Sequence, residues 1–204
     1  MAAAAAAQGH FLGIPGFSEG RIAWLKTNFM WMMYRSGWAS KPGQEAVLAI
    51  TLRRPFFERL LAASVSTSAE HTEKGACRDA DAVLQWDPDH LPDGSKHPGR
   101  RAVQLGVRST LRDEYIAGKH TLSIEDITRF VREMATRLLV QAGTGGTGST
   151  SNSSSSSSNG NEQGSCRANP CQWGSLLVPA ERAVQLSSEL AAHVRADAWG
   201  GEAV

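Results

Sequence analysis

The stretch that decides the fold is RIAWLKTNFMWMMYRSGWASKPGQE, which runs from Arg21 to Glu45. It contains three of the six tryptophans of the chain, and no acidic residue lies between Arg21 and Gln44. Aromatic and cationic side chains are rarely concentrated at this density merely to fill a core. The stretch is therefore the first candidate for a binding surface as well as for a structural element.

Within this stretch the pattern predicts one helix. Thr27 or Asn28 is a suitable N-cap, and Gly37 is a suitable stop, followed by a Lys-Pro-Gly turn. The spacing of the helix puts one set of side chains on one side, namely Trp31, Tyr34, Arg35 and Trp38. Phe29, Met30 and Met33 fall on the other side. A helix that is apolar on both sides is expected to be covered on both.

The rest of the chain alternates between strand and helix patterns. Predicted strands are residues 46–52 (fully buried), 83–86, 101–107 and 121–124. Predicted helices begin at Pro55 with Phe56, Leu60, Leu61 and Val65 on one face, and cover 110–117, 124–141 (with Ser123 as its cap) and 179–197. Residues 66–80 and 87–100 are predicted to be loops. The strict βαβ rhythm of a doubly wound sheet and the glycine-rich phosphate loop are both absent.

The predicted fold class is α+β, a single compact domain with a small mixed sheet and several helices. We expect a low-complexity lead over residues 1–20, which contains six consecutive alanines, to be disordered. The α+β domain should cover residues 21–142. A Ser/Gly/Asn-rich insertion over 143–175 is also expected to be disordered, because it has too few apolar residues to offset the entropy of ordering. A closing segment, 176–204, should contain a helix.

Composition excludes several classes of protein. The formal net charge of +1 shows no general affinity for polyanions, since the positive charge is local. The three cysteines, Cys77, Cys166 and Cys171, have neither zinc-site spacing nor the number of a disulfide framework. A membrane span needs about 20 apolar residues and none is present, nor is there a convincing signal or transit peptide. The expected location is cytoplasmic, without membrane partners.

The segment from Phe29 to Ile50, with Arg21, Trp24 and Lys26 before it, resembles the central motif of domain-of-unknown-function family 4291. Further similar segments are VLQWDP at 83–88, RAVQLG at 101–106, IEDITRFV at 124–131 and LLVPAER at 176–182. The resemblance covers about 21–134 plus 176–184. It implies an additional strand and helix at the N-terminus of the family, in whose place this chain has the alanine-rich lead. It implies no activity.

Arg35 is the centre of the candidate binding site. A guanidinium beside aromatic rings can bind a phosphate bidentately while a ring stacks on a base. The ligand-binding candidates are Arg21, Lys26, Trp31, Tyr34, Arg35, Trp38, Lys41 and Gln44, and Glu45 is the first position to test for a catalytic carboxylate. The structural alternative is that the tryptophans form core and Arg35 packs on Trp31 and pairs with a carboxylate.

A second group of polar residues lies at 85–104. Asp87, Asp89 and His90 follow a predicted strand, but an Asp-Pro pair is also ordinary turn chemistry. His90 and His97 match no metal-site spacing, so no metal is predicted. Gln85 and Gln104 alternate with apolar residues on strands and can either satisfy backbone groups or line a cleft. Cys77 has no neighbouring base that would make it a nucleophile.

Three functions remain open from the sequence. The first is a nucleotide- or nucleic-acid-directed protein that uses the Arg35 pocket, including an enzyme that resembles ADP-ribosyltransferases, by analogy of fold class alone. The second is a non-catalytic module that binds single-stranded nucleic acid or a partner protein. The third is an inert, truncated member of the family. Cofactor, substrate and oligomeric state are unknown at this stage.

Overall fold

The computed structural model describes residues 1–67, 76–144 and 176–194. The helices are α1 (Ala2–Gln8), α2 (Phe29–Ser36), α3 (Arg54–Ala62), α4 (Ala76–Asp79), α5 (Ser109–Ile116), α6 (Thr128–Thr144) and α7 (Ser188–Val194). The strands are β1 (Ala23–Lys26), β2 (Leu48–Leu52), β3 (Ser64–Ser66), β4 (Ala82–His90), β5 (Lys96–Val107) and β6 (Thr121–Asp126). The α+β class is confirmed.

Two sheets organise these elements. The larger has the order β1-β5-β4-β3, in which β3 is parallel to β4 and the other pairs are antiparallel, so it is the mixed sheet that the sequence predicts. The smaller consists of β2 and β6, paired antiparallel. In β2 burial alternates, with Ala49 and Thr51 exposed. The prediction of a fully buried strand there was wrong, because a two-stranded ribbon is covered on one face only.

The main core lies against one face of the larger sheet. Leu84 and Leu105 point into it from β4 and β5, and α3 contributes Phe56, Leu60 and Leu61, as its spacing predicts. Val65 was expected on the same helix face but lies in β3, because α3 ends at Ala62. Val194 of α7 completes this core.

A second, smaller core joins α2 to α6. Met30 and Met33 of α2 pack here with Val47 and Val131, and Phe29 and Phe130 lie beside them. α6 begins at Thr128 and not at Ile124, because β6 continues to Asp126 to pair with Leu48. The Asp126 carboxylate, and not Ser123, accepts the Thr128 N–H at 3.0 Å.

The N-terminal lead is ordered, so the expectation of disorder over residues 1–20 was wrong. Residues 2–8 form α1, with Ala5 fully buried against the core. Phe11 stacks on Phe17 with ring centroids 5.2 Å apart and contacts Tyr115 at 5.6 Å. Alanine has the highest helix propensity and permits close approach, while Phe11 and Ile14 supply the apolar anchors. The domain therefore extends over the lead as well as 21–142.

The segment 87–100 is a β-hairpin, although the sequence predicts a loop there. β4 runs to His90 through Pro88, and β5 begins at Lys96. A turn closes the hairpin through the Leu91 N–H, which donates to the Ser95 carbonyl at 2.8 Å. β3 pairs with β4 only as far as Leu84, so Pro88 needs no donor on that side.

The end of the chain partly matches the expectation. Residues 176–187 have no regular secondary structure, so the predicted terminal helix, α7, begins only at Ser188. The predicted disordered insertion falls almost wholly on residues 145–175, outside the described residues. In the described parts of the chain, no helix is long and apolar enough to cross a membrane.

Candidate anion-binding site

A row of three polar side chains crosses the larger sheet on the face away from the main core. The strand register places Lys26 opposite Gln104, and Gln104 opposite Gln85. Because side chains alternate along a strand, all three project from the same face. The neighbouring row, Leu25, Leu105 and Leu84, projects into the core. The same three strands thus carry an apolar face and a polar face.

Asp87 extends this polar face along β4. It lies two residues after Gln85, so it projects from the same side. The Gln85 side-chain amide donates to Asp87 Oδ1 at 2.8 Å, and the Gln104 amide donates to Oδ2. Within the described residues no lysine or arginine forms an ion pair with this carboxylate. Asp87 is therefore held in position by two hydrogen bonds, whereas its negative charge has no ion-pair partner among the described residues.

Lys26 is half-buried between two indole rings. Its Nζ lies 5.7 Å from the ring centroid of Trp24 and 5.8 Å from that of Trp31, and it donates to the Trp24 carbonyl at 3.4 Å. Burial, and after it the Arg35 guanidinium, lowers the pKa of the Lys26 ammonium to about 8, whereas the Asp87 charge acts in the opposite direction. The ammonium is thus held where its charge is poorly solvated.

Arg35 lies on α2, one helical turn after Trp31, and its side chain is exposed. Over the described ranges 1–67, 76–144 and 176–194, it has no hydrogen-bond acceptor and no ion-pair partner. The structural alternative required a carboxylate partner for Arg35, and this part of the chain does not provide one. Lys26 and Arg35 are therefore neighbouring cations, and no carboxylate of the described residues lies within ion-pair distance of either.

Trp24 is the exposed indole of this site, with 39% of its surface accessible, whereas Trp31 is only 6% exposed; the Tyr34 phenol ring is 46% exposed. Gly106 allows Trp24 to lie on the sheet. A Cβ at residue 106 would stand 2.6 Å from Ile22 Cδ1, 2.7 Å from Val83 Cγ2 and 3.1 Å from the Trp24 ring. No side chain fits there without moving these neighbours. The glycine therefore determines where the exposed indole sits.

The closing segment holds the first turn of α2. The Phe29 N–H, which has no partner within the helix, donates to Glu181 Oε1 at 2.7 Å. Glu181 also lies 3.7 Å from Arg100, which pairs at 2.7 Å with the fully buried Asp89. Burial raises the pKa of Glu181 against the opposing effects of the Phe29 N–H and Arg100. Asn28 is the N-cap residue, as predicted, but its side chain does not cap the helix.

Tyr34 stacks on a histidine instead of facing Lys26. Its ring lies 3.6 Å from the ring of His90, at an interplanar angle of 7°, and Lys41 Nζ lies 5.3 Å from the tyrosine centroid. His90 is 5% exposed, and burial lowers its pKa against the opposing charges of Asp89 and Asp87. One face of the tyrosine ring is thus occupied within the protein.

The helix side predicted for Trp38 was wrong. α2 ends at Ser36, and Gly37 caps it with a left-handed φ of 56°. Trp38 follows with a φ of 54° and packs edge-on against Phe29, with centroids 6.3 Å apart, in the second core. The left-handed turn carries the chain off the helical path, so the i+7 position no longer faces the side of Trp31 and Arg35.

The remaining predicted residues lie around the site and not in its polar row. Arg21 is exposed and precedes β1, at the end of that strand opposite to Lys26. Lys41 donates to the Tyr34 carbonyl at 3.0 Å, near the end of α2. Gln44 is half-buried and donates its backbone N–H to the Lys41 carbonyl. Glu45 is exposed, and its carboxylate accepts the Gly43 N–H at 2.9 Å, which lowers its pKa.

A family model matches this chain. The model of the domain of unknown function DUF4291 matches residues 1–147 of 204. The chain belongs to this family. The match begins at residue 1, so it includes the ordered lead as well as the Trp-rich stretch. No curated protein and no solved structure matches the chain.

For this DUF4291 member the sequence singled out Lys26 and Arg35 as candidate ligand-binding residues, but it did not place Trp24 or Asp87 in the same candidate site. Trp24 was noted only as part of the Arg21–Glu45 stretch. The available signal was its two-residue spacing from Lys26, which on a strand puts both side chains on the same face. Asp87 was assigned to a loop, with ordinary Asp-Pro turn chemistry as the alternative to a site at the end of a strand. Its two-residue spacing from Gln85 was the corresponding signal.

Proposed function

We propose that this chain binds a phosphorylated ligand of the nucleotide class on the polar face of its sheet. Arg35 and Lys26 hold the phosphate. The observation that carries the proposal is that both cations lie beside Trp31, since Lys26 Nζ is 5.8 Å from its ring and Arg35 follows it by one turn of α2. Neither cation has an ion-pair partner among the described residues.

The electrostatics of the pair favour a bound anion. Arg35 disfavours the charged form of Lys26, which costs free energy in the unliganded protein. A phosphate between the two would replace this repulsion by two charge-assisted hydrogen-bonding contacts, and the planar guanidinium can bind two phosphate oxygens at once. The unliganded site therefore carries a repulsion that an anion relieves.

An exposed indole next to the cations supports a nucleotide over a simple phosphate. Trp24 lies beside Lys26 and has a partly accessible ring. Stacking of a base on an aromatic side chain contributes about 1–3 kcal/mol. Trp31 supplies no such surface because it is buried, and Tyr34 already stacks on His90. The stacking role thus falls to Trp24.

The proposal concerns binding and not a reaction. The ADP-ribosyltransferase-like hypothesis needs a catalytic glutamate, and its candidate Glu45 bonds the backbone of its own turn. Single-stranded nucleic acid would use the same cations and ring as a nucleotide. A nucleotide is the favoured ligand, because the site consists of one pair of cations and one exposed indole.

Thermal-shift and calorimetric titrations test this proposal. AMP, ATP and inorganic phosphate are compared with single-stranded oligonucleotides, on the wild type and on Arg35→Gln. We expect saturable binding of nucleotides and a loss of about tenfold or more in affinity for Arg35→Gln, since a hydrogen bond to a charged group contributes about 1.5–3 kcal/mol. The matched control is Arg129→Gln, an exposed helical arginine on α6.

Four results would count against nucleotide binding. They are no binding of any nucleotide, equal binding by wild type and Arg35→Gln, an equal loss in Arg129→Gln, and unfolding of Arg35→Gln. Tight binding of oligonucleotides alone, with a steep dependence on salt, would assign the site to single-stranded nucleic acid instead.

A further inference from the structure

We propose that Asp87, held by Gln85 and Gln104, receives the sugar hydroxyls of the bound ligand, so that the site selects ribonucleotides over 2′-deoxyribonucleotides. This inference rests on the proposed function and assigns the second half of the same site.

The first step of the argument is position. Gln104 is opposite Lys26 in the sheet register, and its side-chain amide bonds Asp87. Directly opposed side chains on adjacent strands have Cβ atoms about 5 Å apart. One glutamine therefore separates the cation from the carboxylate. The Asp87 charge reaches Lys26, where it opposes the effects of burial and of Arg35. A ligand that binds Lys26 through its phosphate thus has its next group near Asp87.

The second step is hydrogen-bonding capacity. An ionised carboxylate accepts hydrogen bonds at about four lone-pair positions. Each oxygen of Asp87 accepts one glutamine amide, and the described part of the chain supplies no arginine or lysine ion pair to it. Acceptor positions therefore remain on both oxygens, on a group whose orientation is fixed from two sides. Two adjacent hydroxyls of a ribose supply two donors for such an acceptor.

The third step is charge. Asp87 repels a phosphate, whereas Arg35 and Lys26 attract it, so the polar face has a cationic end and an acceptor end. A ligand with an anionic group and neutral hydroxyl donors matches both ends. A nucleoside phosphate has this arrangement, and a 2′-deoxy ligand lacks one of the donors. An acidic side chain bonded to ribose hydroxyls is also how other nucleotide sites recognise the sugar.

The experiment compares AMP with 2′-deoxy-AMP by isothermal titration calorimetry on the wild-type chain. We expect AMP to bind about tenfold or more tightly, because the deoxy ligand loses one hydrogen bond to a charged acceptor. Asp87→Asn should reduce the ratio of the two affinities to within about twofold, since a neutral amide is a weaker acceptor. Asp79→Asn, at an exposed carboxylate on α4, is the matched control and should keep the wild-type ratio.

The results separate this inference from the proposed function. Equal affinities of the wild type for AMP and 2′-deoxy-AMP, with binding still dependent on Arg35, overturn the inference and leave nucleotide binding in place. A ratio that Asp87→Asn does not change also overturns it. Failure of the wild type to bind either nucleotide overturns both. The wild-type comparison needs no variant, so an Asp87→Asn protein that fails to fold leaves the inference testable.

Discussion

The two faces of the β1-β5-β4 sheet differ in chemistry at two neighbouring rows of the register. On one face Leu25, Leu105 and Leu84 form a row in the main core, and on the other Lys26, Gln104 and Gln85 form the polar row. An antiparallel sheet obtains its stability from burying one face, so its other face can carry polar groups. The comparison teaches that the apolar core and the proposed binding row are divided between alternate residues of the same strands.

Helix α2 repeats this division. Met30 and Met33 bury one of its sides in the second core, while Trp31 contacts Lys26 and Arg35 remains exposed on the other. The helix is therefore anchored by one side and presents its cation from the other. Rigid anchoring of this kind is what a site needs to hold charges in place before a ligand arrives.

The first test asks whether the leucine row contributes more to the free energy of unfolding than the polar row. Leu105→Ala should lower the free energy of unfolding by about 2–5 kcal/mol, because Leu105 is fully buried and the change leaves a cavity. Gln104→Ala, one residue earlier on the opposite face, should cost about 1.5 kcal/mol, the lower end for a hydrogen bond to a charged group, because Gln104 is only half-buried. Denaturant unfolding measures both. A cost for Gln104→Ala as large as that for Leu105→Ala would contradict the division.

Gly106→Ala tests how closely the polar face is packed around Trp24. The added methyl group would meet Ile22 and Val83 at less than 3 Å, so these side chains and the indole must move. We expect a loss of about 1–3 kcal/mol in the free energy of unfolding and a shift in tryptophan fluorescence. Gly99→Ala is the control, because a Cβ there meets nothing within 4 Å. Equal stability of the two variants would show that Trp24 does not lie against the strand.

Glu181→Ala tests the support of α2 by the closing segment. The Phe29 N–H loses its acceptor and Arg100 loses its second carboxylate, so we expect a loss of about 1–2 kcal/mol, as for removal of an N-cap. Amide hydrogen exchange in the first turn of α2 should accelerate. Glu189→Ala, at an exposed position of α7, should have little effect. Unchanged exchange in α2 would mean that Glu181 does not hold this helix.

The smallest effect is expected at Tyr34. Tyr34→Leu removes the stack on His90, which is worth about 0.5–1.5 kcal/mol of stability. Its effect on AMP affinity should stay within about twofold, since one face of the ring is already covered by His90. Trp24→Leu is the comparison and should weaken AMP binding by about fivefold or more, because its indole is the exposed stacking surface. A larger binding defect in Tyr34→Leu than in Trp24→Leu would restore the sequence-based assignment.

Local patterns predicted much of the fold. The helical spacing of Phe56, Leu60 and Leu61, the caps of α2 at Asn28 and Gly37, and the alternation in β5 are all signals within one element. The hairpin of β4 and β5 was missed because Pro88 ordinarily breaks strands. Pro88 is tolerated in β4 because β3 ends before it and needs no N–H donor there. This is a property of the sheet and not of the local sequence.

The candidate site was predicted only in part for the same reason. Lys26 and Arg35 lie in one short stretch and stand out by charge. Asp87 reaches them through the strand order β1-β5-β4, which brings together residues about 60 positions apart. Trp38 was misplaced because helical periodicity does not extend beyond the left-handed residues that end α2. The N-terminal lead was misjudged from its alanines, although Phe11 and Ile14 are the residues that bury it.

The central claim is that Lys26 and Arg35 repel each other in the unliganded protein, and that a bound anion relieves this repulsion. Its most direct test is the pKa of the Lys26 ammonium, measured by NMR of ¹³C-lysine-labelled protein with and without AMP. We predict a pKa of about 8 in the unliganded protein, and a higher pKa both with AMP and in Arg35→Gln. Because the ligand favours the protonated form, AMP affinity should fall as the pH rises through about 8, by up to about tenfold per pH unit. An ordinary lysine pKa that AMP and Arg35→Gln leave unchanged would contradict the claim.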